Sequence, residues 1–132
     1  MPALGGRPGV YSARYAGNQG DDAANNARLL DELTPLGADA RDAYYVCTAA
    51  LADAQGQVHS VVEGRCHGRI IDTHRGTGGF GYDPLFLIPE YHRTFGELSA
   101  YVKNALSHRG RALAQLRSML RQLLTNPNGR QP

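Results

Sequence analysis

The sequence predicts an α/β fold, a mixed sheet with a long antiparallel hairpin and flanking helices, and three observations carry that expectation. First, "AYYVCTAALAD" (43–53) and "VHSVVEGRCHGRII" (58–71) are rich in β-branched, aromatic and small apolar residues. Only "AQGQ" separates them, so they read as two strands joined by a tight connection. Second, helical periodicity appears on both sides of this pair. Third, a glycine-rich stretch leads into the short apolar run "PLFLIP" (84–89), which adds a strand. The order helix, hairpin, loop, strand, helix suits a sheet with helices packed on it.

Each element has a local cause. The opening "LGGRPGVYSARYAGNQGDD" is dense in glycine and turn residues and reads as a loop with a short extended piece. Asp21 or Asp22 can cap a helix running to about Leu33, with Ala24, Ala27, Leu30 and Leu33 on one face. "TPLGAD" ends it. Ser99 caps a last helix expected to run unbroken to about Leu124, with Val102, Leu106, Leu113, Leu116, Leu120 and Leu123 as its apolar stripe. One domain over residues 1–125 is expected, followed by a disordered tail, "NPNGRQP", at 126–132.

Bulk properties narrow the function classes. With 42% hydrophobic and 20% charged residues, the chain has the composition of a folded globular protein. No apolar run is long enough for a membrane span and no signal-peptide core is present, so a cytoplasmic protein without a membrane partner is expected. Cys47 and Cys66 lie in apolar strand-like segments and read as buried thiols. No CxxC or HExxH pattern supports a metal site, so none is assigned. The net charge is +2, but no acidic residue follows Glu97, while Lys103, Arg109, Arg111, Arg117, Arg121 and Arg130 do. A basic last helix is one route to nucleic-acid binding, yet the arginines are scattered and no nucleic-acid partner is expected. Lys103 is the only lysine beside thirteen arginines, which fits a position that needs a compact ammonium.

The chemistry concentrates in two stretches. In "RGTGGFGYDPLF" (75–86), Gly76, Gly78 and Gly81 match G-x-G-x-x-G. A dinucleotide turn must open a helix whose N-terminus meets the pyrophosphate. Here Pro84 and "LFLI" follow, so that reading fails on context. What is left is a loop whose glycines let backbone approach a ligand, with Phe80, Tyr82 and Asp83 displayed on it. An aromatic ring suits a flat ligand, and a carboxylate accepts hydrogen bonds from base N–H groups. The plain alternative is that Phe80 is core, Tyr82 packs the loop and Asp83 starts a turn. The second stretch, "KNALSHRGR", pairs Lys103 with Ser107 and Asn104 with His108 at helical spacing, with Arg109 alongside. It reads as an anion or base-edge site, or as an exposed polar face.

Taken together, "GGRPGVYSARYAG", "GTGGFGYDPLF" and "KNALSHRGRAL" resemble, in order and separation, the inosine triphosphate pyrophosphatase family, over about Ala3 to Leu116. The resemblance implies hydrolysis of deaminated purine nucleoside triphosphates such as ITP, dITP and XTP to the monophosphate and pyrophosphate, with Mg²⁺ as cofactor and a homodimer as the complete assembly. It implies that Phe80 stacks on the purine and that Gly81, Tyr82, Asp83, Lys103, His108 and Arg109 bind the nucleotide. Ser12 and Arg14 fall in the motif near the active site. The logic of the substrate is a 6-oxo acceptor where adenine has a 6-amino donor; donors at that edge, Arg109 among them, leave adenine mismatched.

The family pattern also has a phosphate loop, a glutamate and a D-D-S-G-L segment with the catalytic aspartate, all upstream of its A-L-G-G motif. Only Met1 and Pro2 precede Ala3 here. The expectation is therefore a chain that keeps base recognition and lacks the family's N-terminal strand-helix portion, with no catalytic and no metal residue assigned. Two readings follow: a nucleoside triphosphate pyrophosphatase of impaired activity, or a catalytically inactive purine-nucleotide-binding module.

Overall fold

The computed structural model describes residues 1–125; the expected tail at 126–132 lies outside them. Helix α1 spans Asp22–Leu33, strands β1 and β2 span Asp42–Ala52 and Val58–Ile70, and β3 and β4 span Phe86–Ile88 and Arg93–Thr94. Two helices, α2 (Ala100–Leu106) and α3 (His108–Thr125), complete the described chain. The strands form one sheet in the order β1-β2-β3-β4. The α/β class and the long hairpin are as expected. The mixed sheet narrows to an antiparallel one, with Ile70 opposite Phe86 and Leu87 opposite Thr94. β4 has no counterpart in the sequence reading, because two residues carry no periodicity to detect.

The chain divides into two compact units. One comprises Met1–Tyr44 and His67–Lys103; the other comprises Tyr45–Cys66 and, of the described residues, 104–125. In the first, the core is built from Leu29, Leu33, Ile70, Leu85, Phe86, Ile88 and Phe95. Phe86 and Phe95 meet with ring centroids 5.2 Å apart. In the second, Val62, Cys66 and Ala112 are buried. Strand β2 alternates strictly from Val62 to Ile70, one face in and one out, as a period of two requires.

Three expectations change. The opening residues fold into two 3₁₀ turns, Pro2–Leu4 and Gly9–Arg14, instead of a loop with an extended piece. Helix α1 starts where expected, with Asp21 accepting the Ala24 N–H at 3.0 Å. Its buried residues, however, are Asn25, Asn26, Leu29 and Leu33. Polar Asn25 faces inward because it accepts from Ala16 N at 2.7 Å and donates to Ala13 O at 3.2 Å. Finally, the last helix is broken at Ser107, and its leucines are not a buried stripe. Leu113, Leu120 and Leu123 are exposed, while Ala112 is buried. The face of α3 turned to β2 is the one carrying Arg111, Gln115 and Met119, which bond Arg65 O, Glu63 O and Ser60 Oγ. Among the described residues, no helix is long and apolar enough to cross a membrane.

Candidate functional site

The glycine loop of the first unit is organised around one buried carboxylate. Asp83 is only 3% exposed. Its Oδ2 accepts the Phe80 N–H at 2.8 Å and pairs with the Lys103 ammonium. The Asp83 N–H returns to Phe80 O at 3.3 Å, so residues 80 to 83 close a turn whose side chain caps its own start. Gly79 makes this possible. With φ of +78°, a Cβ there would lie 1.9 Å from Asp83 Oδ2 and 2.9 Å from Lys103 Nζ, so only glycine lets the carboxylate and the ammonium come this close.

Lys103 then links the loop to the core. Its Nζ lies over the Phe80 ring, 4.6 Å from the centroid, and 5.6 Å from the centroid of Phe95. An ammonium against an aromatic face is attracted by the ring quadrupole, and Asp83 neutralises its charge. Phe80 itself is 56% exposed. The result is an aromatic ring fixed at its backbone, backed by a cation and still largely open. Such a ring can offer its open face to a flat ligand.

Of the three side chains expected on display, only Phe80 is displayed. Tyr82 is buried, and its hydroxyl donates to Ser12 O at 2.8 Å. Burial pushes its pKa well above the usual phenol range, so it stays a neutral donor. This bond ties the glycine loop to the 3₁₀ turn holding Ser12 and Arg14. Ser12 thus joins the group through its carbonyl. Arg14 is exposed and lies over the Tyr11 ring, 4.9 Å from its centroid. Gly81 follows Phe80 with φ of 62°. His108 and Arg109 belong to the second unit. There His108 stacks on Tyr45 with centroids 4.8 Å apart, and Arg109 is exposed on α3.

Two contributors escaped the sequence reading. Asp22 accepts the Gly81 N–H at 2.6 Å and Asn26 donates to Gly81 O at 3.1 Å. The only signal was an Asn-Asn pair inside a predicted helix, a position where asparagine is a poor helix former and needs a reason. No group of three or more His, Cys, Asp or Glu among the described residues could hold a metal ion. The nearby carboxylates are committed: Asp21 to the helix cap, Asp22 to Gly81 and Asp83 to Lys103. These residues do not fit a Mg²⁺ site.

Comparison with known proteins gives one consistent result. The Ham1 family model matches residues 1–119. The chain is 58% identical over 113 residues to the dITP/XTP pyrophosphatase of Rhodopirellula baltica, covering 86% of this chain and 54% of that protein. It is 50% identical over 123 residues to the dITP/XTP pyrophosphatase of Desulforamulus reducens, covering 93% and 61%. Among solved structures, it superposes on a HAM1 protein from Coxiella burnetii with a TM-score of 0.85 at 38% identity, covering 92% of this chain and 62% of that one. The chain thus spans a little over half the length of the curated relatives it matches.

Proposed function

Because the chain belongs to the Ham1 family, we propose that it recognises the base of deaminated purine nucleoside triphosphates, ITP, dITP and XTP, for hydrolysis to the monophosphate and pyrophosphate. The observation that supports this best is the Phe80 platform: an open ring held by Asp83 and backed by the Lys103 ammonium. A purine stacks on such a ring, and hypoxanthine is distinguished from adenine at its 6-position, an acceptor in place of a donor. His108 and Arg109 are proposed as nucleotide contacts in their own right, on the family resemblance. Ser12 and Arg14 are proposed as neighbours of the reaction site on the same ground. Homodimerisation and a cytoplasmic setting belong to the same proposal, as does the Mg²⁺ requirement of the family, for which the described residues supply no ligand cluster.

A second reading, a purine-nucleotide-binding module without turnover, is favoured by one observation: no metal-holding carboxylate cluster exists among the described residues. Hydrolysis of a phosphoanhydride leans on metal and cationic neutralisation of developing charge. Calorimetric titration with ITP beside a pyrophosphate-release assay with ITP and Mg²⁺ separates the two. Binding with release supports the enzyme; binding alone supports the module. Phe80→Ala is expected to weaken ITP binding by about 1–3 kcal/mol. An unchanged affinity in a folded variant would sink the purine-platform reading.

A further inference from the structure

Both backbone polar groups of Gly81 are taken by side chains of α1. Its N–H donates to Asp22 Oδ2 at 2.6 Å, and its C=O accepts from Asn26 Nδ2 at 3.1 Å. Asp22 and Asn26 stand four residues apart, so they share one helix face and meet the same residue of the loop. Gly81 has φ of 62°, and a Cβ there would touch nothing within 4 Å. The two hydrogen bonds from α1 hold its left-handed conformation.

The two positions differ in what they tolerate. A carboxylate only accepts, while an amide both accepts and donates; an aspartate at position 26 would set an acceptor against the Gly81 carbonyl, whereas an asparagine at position 22 still accepts through its Oδ1. Asn26 is 4% exposed, and its Oδ1 has no hydrogen-bond partner among the described residues. Burying an unsatisfied acceptor is costly, so an asparagine here makes sense through what its Nδ2 does. Phe80 is thus held on both flanks. Asp83 takes its own N–H, and the α1 pair fixes the residue that follows.

We infer that Asp22 and Asn26 are positioning residues that set the orientation in which Phe80 is offered to a purine base, without touching the base themselves. This rests on the purine-platform reading above. Neither residue carries chemistry; they act through Gly81.

The test is ITP titration of the full chain carrying Asp22→Ala, Asp22→Asn, Asn26→Ala or Phe80→Ala, with amide hydrogen exchange read at Gly81. Asp22 is exposed, so its variants are expected to fold even if Asn26→Ala does not. Loss of one clamp hydrogen bond is expected to weaken ITP binding about fivefold to tenfold and to speed exchange at Gly81. Asp22→Asn keeps an acceptor oxygen and is expected to restore most of the affinity. If Asp22→Asn loses as much as Asp22→Ala, charge and not the hydrogen bond matters, and the clamp is overturned. If folded Asp22→Ala binds ITP within twofold of the parent while Phe80→Ala does not, the clamp fails and the platform stands. If Phe80→Ala binds unchanged, the platform fails and the clamp has nothing to position.

Discussion

At the scale of single residues, the site rests on backbone space more than on side-chain identity. Phe80, Asp83 and Lys103 were legible in the sequence because each is chemically conspicuous: an aromatic among glycines, a carboxylate before proline, a lone lysine. What was not legible is that Asp83 and Tyr82 point inward. Their partners, Lys103 and the carbonyl of Ser12, lie 20 and 70 residues away, and local pattern cannot report such a pairing. The same holds for Asn26, whose partner Gly81 is 55 residues distant. The glycines give a sharp prediction. Gly79 and Gly81 both have positive φ, but a Cβ at Gly79 would clash with Asp83, whereas one at Gly81 meets open space. Gly81→Ala is expected to cost about 1–2 kcal/mol for the left-handed conformation alone. Gly79→Ala adds overpacking and displacement of a buried charge pair, for about 3 kcal/mol or more in all. Thermal unfolding of the two variants checks this; equal losses would mean that the contact with Asp83 is unimportant.

At the scale of elements, the helices show where periodicity stops being informative. The stretch after Ser99 has a continuous 3.6-residue leucine pattern, which predicts one helix. The structure breaks it at Ser107, because two local features override the pattern. Ser107 is buried and its Oγ accepts the Gly110 N–H at 3.1 Å, an N-cap reaching the third residue of α3. Gly110 then approaches the preceding helix so closely that a Cβ would lie 1.7 Å from Asn104 O. Both residues were visible in "LSHRGR", but a serine and a glycine three apart within a helical pattern are easily absorbed into it. Ser107→Ala is expected to cost about 0.5–2 kcal/mol. Gly110→Ala is expected to destabilise as well, although alanine is the better helix former by about 1 kcal/mol. Circular dichroism melts decide this; a stabilised Gly110→Ala would show that the helix is able to run through. By contrast, the start of α1 and the hairpin were read correctly, since a capping aspartate and a pair of β-rich runs are local signals.

At the scale of the whole molecule, the order of elements carried the fold class, and the order and spacing of three motifs carried the family, which no single element supplies. The motif order did not reveal how the N-terminal segment is anchored, and that anchoring sets the response to acid. Glu32, on α1, accepts the Tyr15 hydroxyl at 2.7 Å, pairs with Arg28 at 3.0 Å and meets Arg7 at 2.9 Å. The Tyr15 hydrogen bond first, then the two guanidinium groups, hold its carboxyl below the ordinary value of 4.5. Glu97 is held down likewise, by the Thr94 N–H and by Arg75. A carboxylate whose folded pKa is depressed binds its proton more readily when unfolded. Its stabilising contribution is therefore complete above about pH 4.5 and is lost as the pH falls through the depressed folded value. Melting temperature is expected to be flat from neutral pH to about 5 with respect to these two groups and to fall below that. Glu32→Gln keeps the shape and removes the charge, so its acid slope is expected to be shallower than that of the parent. Salt is expected to narrow the difference, because Arg7 and Arg28 are exposed and screened. Parallel melts of parent and Glu32→Gln between pH 7 and pH 3 decide it, and identical slopes would remove Glu32 as the anchor of the N-terminal segment.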